Sequence, residues 1–130
     1  MRVHQDAAVA RLKAVAVTDR VYAPNAVPVS PVTPYYVLTC DTGAAGAYRT
    51  GGRTTTQRFT VAVQCMGKTY GEATDGLERT DAAFEAYTLT VPGFDCTIAR
   101  RQVAASPYRD PDGGSLLVGL HAYAFMSSPA

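Results

Sequence analysis

The longest apolar run of the chain lies near its end. Residues 116–126 contain no lysine, arginine or acidic side chain, whereas a half-buried strand alternates apolar and polar positions. Such a run is typical of a strand from which water is excluded on both faces. The sequence Asp-Pro-Asp-Gly-Gly at 110–114 precedes it and is rich in turn-forming residues. The pattern therefore predicts a tight turn followed by a buried final strand.

Helical spacing of apolar positions occurs twice. Residues 3–15 give a short alanine-rich helix, with a thin apolar stripe at Val3, Ala7 or Ala8, Leu12, and Val15 or Ala16. A second helix is predicted from Thr69, because Thr69 and Glu72 match a capping box. Its apolar stripe comprises Tyr70, Ala73, Leu77, Thr80, Phe84 and Tyr87. Its charged side chains are expected mostly to face away from that stripe: Glu72, Asp75, Glu78, Arg79, Asp81 and Glu85. Gly71 and Gly76 are each expected to weaken this helix by roughly 1 kcal/mol relative to alanine.

The remaining pattern predicts five strands, at residues 35–40, 54–65, 88–91, 97–104 and 116–126. A brief extended piece is also expected near residues 21–22. Prolines 24, 28, 31 and 34 predict an extended surface connection before the first strand. The Gly/Ala/Thr-rich residues 41–53 are expected to protrude as a mobile loop. The element order α-β-β-α-β-β-β predicts an α+β fold: one domain over residues 1–130, with a mostly antiparallel sheet of about five strands and two helices packed against it.

Composition narrows the possible classes of protein. The 130 residues are 47% hydrophobic and 18% charged, with 12 basic and 11 acidic side chains. This balance gives no electrostatic signature of a dedicated nucleic-acid binder. The three cysteines are widely spaced and odd in number, which indicates reduced thiols in an intracellular protein. No apolar stretch approaches the ~20 residues of a membrane helix, so no membrane association is predicted.

No pattern of reactive side chains indicates catalysis or a cofactor. His4 and His121 lie at opposite ends of the chain, and a structural role is favoured for His121. A catalytic pair of His121 with Cys40, Cys65 or Cys96 stays open as an alternative. Asp110 and Asp112 resemble the start of a calcium loop, but the later ligands are missing. The sequence therefore predicts no metal, no cofactor and no enzymatic activity.

A set of short segments, spread in order over nearly the whole chain, resembles the sequence of a known protein family. After the alanine-rich helix these segments are Asp19-Arg20-Val21-Tyr22, Tyr35-Tyr36-Val37-Leu38, Gln57-Arg58-Phe59-Thr60-Val61-Ala62-Val63-Gln64-Cys65, Gly67-Lys68-Thr69-Tyr70, Tyr87-Thr88-Leu89-Thr90-Val91-Pro92-Gly93 and Arg109-Asp110-Pro111-Asp112. In this order and spacing, the chain resembles the small tail terminator, or tail completion, proteins of long-tailed bacteriophages, in the form found among phages of actinobacteria.

The resemblance implies a role in assembly. Members of that family form a hexameric ring that caps the tail tube, stops its polymerisation and offers the surface that joins the head. For this chain it implies a virion protein, assembled in the host cytoplasm, that contacts its own copies, the major tail tube protein and a head-completion or neck protein. DNA would pass through the lumen of the ring without sequence-specific binding. The family has no active site to transfer to these residues.

Candidate contact residues come from the sequence alone. The first set lies in a loop that is too long and too poor in apolar side chains to be needed for packing: Tyr48, Arg49 and Arg53. The second set surrounds the final turn: Tyr108, Arg109, Asp110 and Asp112. A loop or turn without any contact is the simpler reading of both sets. Other functions that stay open are a head-closure or adaptor protein, a small Cys/His enzyme, and a regulatory or toxin-like domain that acts as a dimer.

Overall fold

The computed structural model describes residues 2–42, 56–109 and 116–130, which form two α-helices and six strands. The helices are α1 (Arg2–Ala16) and α2 (Tyr70–Phe84), and a short 3₁₀ turn covers Pro24–Ala26. The strands are β1 (Val21–Tyr22), β2 (Tyr35–Thr42), β3 (Gln57–Gly67), β4 (Phe94–Cys96), β5 (Arg100–Arg109) and β6 (Leu117–Pro129).

All six strands belong to one sheet with β6 near its centre. The order is β1-β2-β3-β6-β4, and β5 pairs with the same edge of β6 as β4. The pair β1–β2 is parallel, and the other pairs are antiparallel. Both helices contribute buried side chains to the core on one face of this sheet. The predicted α+β class with a mostly antiparallel sheet is therefore confirmed.

The final strand is buried on both faces, as its apolar pattern predicts. Tyr123 and Phe125 face the helices and form part of the core. Ala122 and Ala124 lie on the opposite face and are each 8% exposed. Residues this small are shielded by side chains of the neighbouring strands, so both faces lose contact with water although the helices cover only one.

The strands predicted at 88–91 and 97–104 differ most from the structure. Residues 88–91 form only two isolated bridges, Thr88 with Ile98 and Val91 with Phe94. The turn at Pro92 and Gly93 (φ +81°) reverses the chain there, and the strand β4 begins after it. The strand predicted at 97–104 is β5, which begins and ends later. Strand bounds in this part of the chain follow the pairing partners on β6 rather than the local sequence.

The beginning of α2 follows the predicted capping box with one change. The Glu72 amide donates to Thr69 Oγ1 (3.1 Å), and Glu72 Oε1 accepts from the amide of Lys68 (2.7 Å) rather than from that of Thr69. The prediction that Tyr70 belongs to the buried stripe is wrong, because its side chain is 59% exposed at the first residue of the helix.

Gly76 has a packing role that propensity alone does not show. A Cβ atom at this position would lie 2.0 Å from Cys65 Sγ, so only glycine lets α2 approach β3 this closely. Gly76 therefore lowers the helix propensity of α2 but allows the helix to pack closely against the sheet.

The first helix closes one edge of the sheet. Its buried side chains are His4, Ala8, Leu12 and Ala16, so the stripe begins one residue later than predicted. Gln5 Nε2 donates to the Leu38 carbonyl (2.9 Å), and Gln5 Oε1 accepts from the Cys40 amide (2.7 Å). Because one side chain satisfies a donor and an acceptor of β2, it takes the place of a neighbouring strand.

Candidate functional site

A cleft of about 250 Å³ lies between α2 and β5. Its lining residues are Tyr70, Thr74, Leu77, Glu78, Asp81, Ala104, Ala105, Ser106, Pro107 and His121. The register of β5 against β6 shifts between Ala105 and Tyr108, where Ser106 and Pro107 lie opposite the single residue Gly119. This irregularity places Ser106 and Pro107 at the cleft wall, as bulges commonly do next to binding sites.

The floor of the cleft is organised around the Asp81 carboxylate. Asp81 Oδ2 accepts from Arg101 Nη1 at 2.7 Å, and Asp81 Oδ1 lies 3.1 Å from His121 Nδ1. The hydroxyl of Tyr123 donates to the same Oδ1. These contacts join α2 to β5 and β6, because the partners of Asp81 are distributed over both strands.

The protonation states at the floor follow from burial. Burial lowers the pKa of His121, although the adjacent Asp81 carboxylate partly opposes this, so the imidazole is neutral at pH 7. A carboxylate only accepts hydrogen bonds, so the proton of neutral His121 is on Nδ1. Burial and the hydrogen bond to Asp81 raise the pKa of Tyr123, which stays a phenol. The side chain of Asp81 thus accepts hydrogen bonds from two neutral groups and from Arg101.

An aspartate that orients a histidine is also part of hydrolytic triads, but the described residues do not complete one here. Ser106 lines the same cleft without a hydrogen bond to His121. None of the three cysteines lines it, and burial raises the pKa of Cys40 and Cys65 to about 12. Within residues 2–42, 56–109 and 116–130, no group of three or more His, Cys, Asp or Glu side chains is arranged to hold a metal ion.

The rim of the cleft offers polar groups that are not already used. Glu78 is exposed and makes no ion pair or hydrogen bond with other described residues. Thr74 Oγ1 is buried and has no hydrogen-bond partner in the described part of the chain. Tyr70 exposes its ring at the same rim. The exposed carboxylate of Glu78 and the exposed ring of Tyr70 are suited to a cation, whereas the buried oxygen of Thr74 is not accessible to one.

The other histidine, His4, forms a buried hydrogen bond with Ser127 that has a structural role. His4 Nε2 lies 2.8 Å from Ser127 Oγ, and Cys96 Sγ donates to the same oxygen at 3.7 Å. The His4 ring stacks on Phe59 with 3.9 Å between centroids. The His4 side chain has no exposed surface, and burial lowers its pKa. Solvent and substrate cannot reach this pair, so it joins α1 to β6 instead of acting on a ligand.

The structure describes only two residues of the predicted contact set, Tyr108 and Arg109. Five of its residues lie outside the described residues: Tyr48, Arg49, Arg53, Asp110 and Asp112. Tyr108 lies on β5 with 47% of its side chain exposed, opposite Val118 and outside the cleft. Arg109 ends β5 opposite Leu117. Tyr108 is thus accessible, while a contact of either residue with a partner stays a prediction.

The sequence pattern does not predict the cleft, although it contains one signal of an interaction surface. The helical pattern predicts that Asp81 faces away from the core, whereas its carboxylate bonds to residues of two strands. The helix α2 has four acidic side chains and one basic side chain, Arg79. This excess of negative charge on one element was the available signal of an interaction surface.

Neither described helix has the length and apolar character needed to cross a bilayer. No protein-family model and no curated protein matches the chain. Among solved structures, a chain in the virion of a native gene transfer agent particle is similar, with a TM-score of 0.64 and 17% identity over 90% of this chain and 84% of that chain. A second solved protein, which bears no functional name, has a TM-score of 0.56 and 13% identity over 97% of this chain and 95% of its own. At these identities the likeness establishes a shared fold: this chain folds like a chain of that virion over most of both lengths.

Proposed function

We propose that this chain is a structural virion protein that caps the end of a tail tube as a ring. The observation that carries the proposal is the fold shared with a chain from the virion of a native gene transfer agent particle, which extends over 90% of this chain. The ordered segments that resemble tail terminator proteins support the same role independently. In this role the protein ends polymerisation of the tube and forms the joint to the head.

The proposed mechanism is assembly of identical copies, six in the ring. In a ring, each copy contacts its two neighbours through two different surface patches, because one patch of a subunit binds the other patch of the next subunit. Strand addition at β2 is an unsuitable contact, since Gln5 already satisfies the amide of Cys40 and the carbonyl of Leu38. At this edge, contacts through side chains are therefore favoured over the addition of a strand.

The proposed partners are further copies of this chain, the major tail tube protein and a head-completion or neck protein. DNA passes through the lumen without sequence-specific binding, in keeping with the balance of 12 basic and 11 acidic side chains. The proposed contact residues are Tyr48, Arg49 and Arg53 in the segment between β2 and β3, and Tyr108, Arg109, Asp110 and Asp112 around the turn before β6. The head-closure and adaptor roles are the alternatives in the same setting.

Electron microscopy combined with sizing of the purified protein tests the ring. The proposal predicts closed rings, and a monomer at every protein concentration would contradict it. Deletion of residues 43–52 tests the first set of contacts, with circular dichroism as the control for folding. A truncated protein that folds, forms rings and still yields infectious particles would exclude this segment as an interface.

A further inference from the structure

Charge is distributed unevenly between two parts of the chain. Residues 43–55 contain Arg49 and Arg53 and no acidic side chain, and Arg58 follows at the beginning of β3. The helix α2 has the opposite balance, four acidic side chains against Arg79. With a net charge of only +1, the chain therefore carries one basic and one acidic segment of comparable size.

The segment 43–55 and the beginning of α2 belong to opposite ends of the sheet. Residues 43–55 connect the end of β2, at Thr42, to β3, and Thr42 pairs with Phe59, which in turn pairs with Phe125. The helix α2 begins shortly after Gly67, which pairs with Leu117 at the other end of β6. Eight residues separate Phe125 from Leu117, or about 27 Å at roughly 3.4 Å per residue.

The acidic side chains of α2 differ in how far their charge is already balanced. Asp81 accepts from Arg101, His121 and Tyr123, so its charge is already largely balanced within the molecule. Glu78, one turn earlier at the rim of the cleft, has no such partner among the described residues. The binding position for a cation is therefore at the rim, where Glu78 and Tyr70 both line the cleft.

We propose that the cleft between α2 and β5 binds the guanidinium group of Arg49 or Arg53 from a second copy of this chain. Guanidinium is favoured because it binds a carboxylate through two donors and stacks on an aromatic ring. The segment has 13 residues, 43–55, so half of it spans up to roughly 20 Å when extended, enough to reach a neighbouring molecule. The two patches are different, so the contact is head-to-tail and suits a closed ring. This inference rests on the proposed function, for which it identifies the contact between subunits.

Sedimentation of the purified full chain at low salt tests the contact. Glu78→Gln, and separately Arg49→Gln with Arg53→Gln, should raise the concentration for half-assembly roughly ten- to a hundredfold, as expected for loss of a charged hydrogen bond. Asp75→Asn is the matched control, because this exposed acid lies on α2 but does not line the cleft. It should leave assembly unchanged. Added salt should weaken the wild type more than the Glu78→Gln variant.

Mixing the two Gln variants gives a sharper result, because each keeps one intact patch. At a concentration where each variant alone is monomeric, an equal mixture should form dimers that do not grow further. Wild-type rings that are unaffected by either variant would overturn this contact and leave the proposed function standing. A wild type that stops at a dimer sensitive to both variants would support the contact and contradict the ring, whereas a wild-type monomer at all concentrations would overturn both.

Discussion

His4 Nε2 lies 2.8 Å from Ser127 Oγ, so a buried hydrogen bond joins the first helix to the last strand across 123 positions of the sequence. Nδ1 of the same ring is buried and has no hydrogen-bond partner among the described residues. Ser127→Ala would therefore leave both ring nitrogens unpaired. We expect it to lower the free energy of unfolding by about 1–3 kcal/mol, measured by urea denaturation. Ser30→Ala, at an exposed position, is the control and should leave stability unchanged.

Stability should fall as the solution becomes mildly acidic. Burial lowers the pKa of both His4 and His121 from the ordinary value of 6.5, so the unfolded chain takes up protons more readily than the folded one. Their contribution to stability is complete above pH 6.5 and is lost progressively below it. Urea midpoints between pH 7.5 and about 5.5 measure this effect above the range in which ordinary carboxylates titrate. His4→Gln should flatten the profile, and a wild-type profile that is already flat would contradict the account.

Gly76 and Gly71 should respond in opposite directions to alanine. Gly76→Ala places a Cβ 2.0 Å from Cys65 Sγ, so we expect a loss of about 1–3 kcal/mol of unfolding free energy from overpacking. At Gly71 the nearest atom to a new Cβ is Thr69 Oγ1 at 3.9 Å. Gly71→Ala should therefore stabilise α2 by up to about 1 kcal/mol. Thermal unfolding of both variants measures the difference, and equal effects would show that α2 does not pack as closely as described.

Gln5 should protect the edge of β2 as well as stabilise it. Gln5→Ala leaves the Cys40 amide and the Leu38 carbonyl without their side-chain partner. We expect a loss of about 1–3 kcal/mol and concentration-dependent aggregation, because an open strand edge pairs with other chains. Gln5→Glu retains the acceptor for Cys40 and loses only the donor, so light scattering should rank it between wild type and Gln5→Ala. Scattering that is the same for all three proteins would exclude this protective role.

The sequence predicted the features that depend on neighbouring residues. The capping box at Thr69, the alternation of Phe59, Val61 and Val63 in β3, and the apolar final strand all appear in the structure. These signals are local, because helix capping and strand alternation act over a few residues. The class and element order of the fold follow from them.

The candidate site depends on partners that are distant in sequence. Asp81 bonds to Arg101, His121 and Tyr123, which are 20, 40 and 42 positions away. Nothing near Asp81 in the sequence distinguishes it from the exposed Asp75. The cleft also needs the register shift of β5 near Pro107, which is set by pairing with β6. The contacts predicted for Tyr48, Arg49 and Arg53 stay predictions.

The length of tails assembled without this protein tests its proposed role most directly. Electron microscopy would compare particles produced with the gene intact and with the gene deleted, and complementation in trans would serve as the control. The account predicts tails longer and more variable than normal, separated from filled heads, because nothing ends polymerisation of the tube. Tails of unchanged length in the absence of the protein would contradict a terminating role, and with unjoined heads they would indicate the head-closure or adaptor alternative.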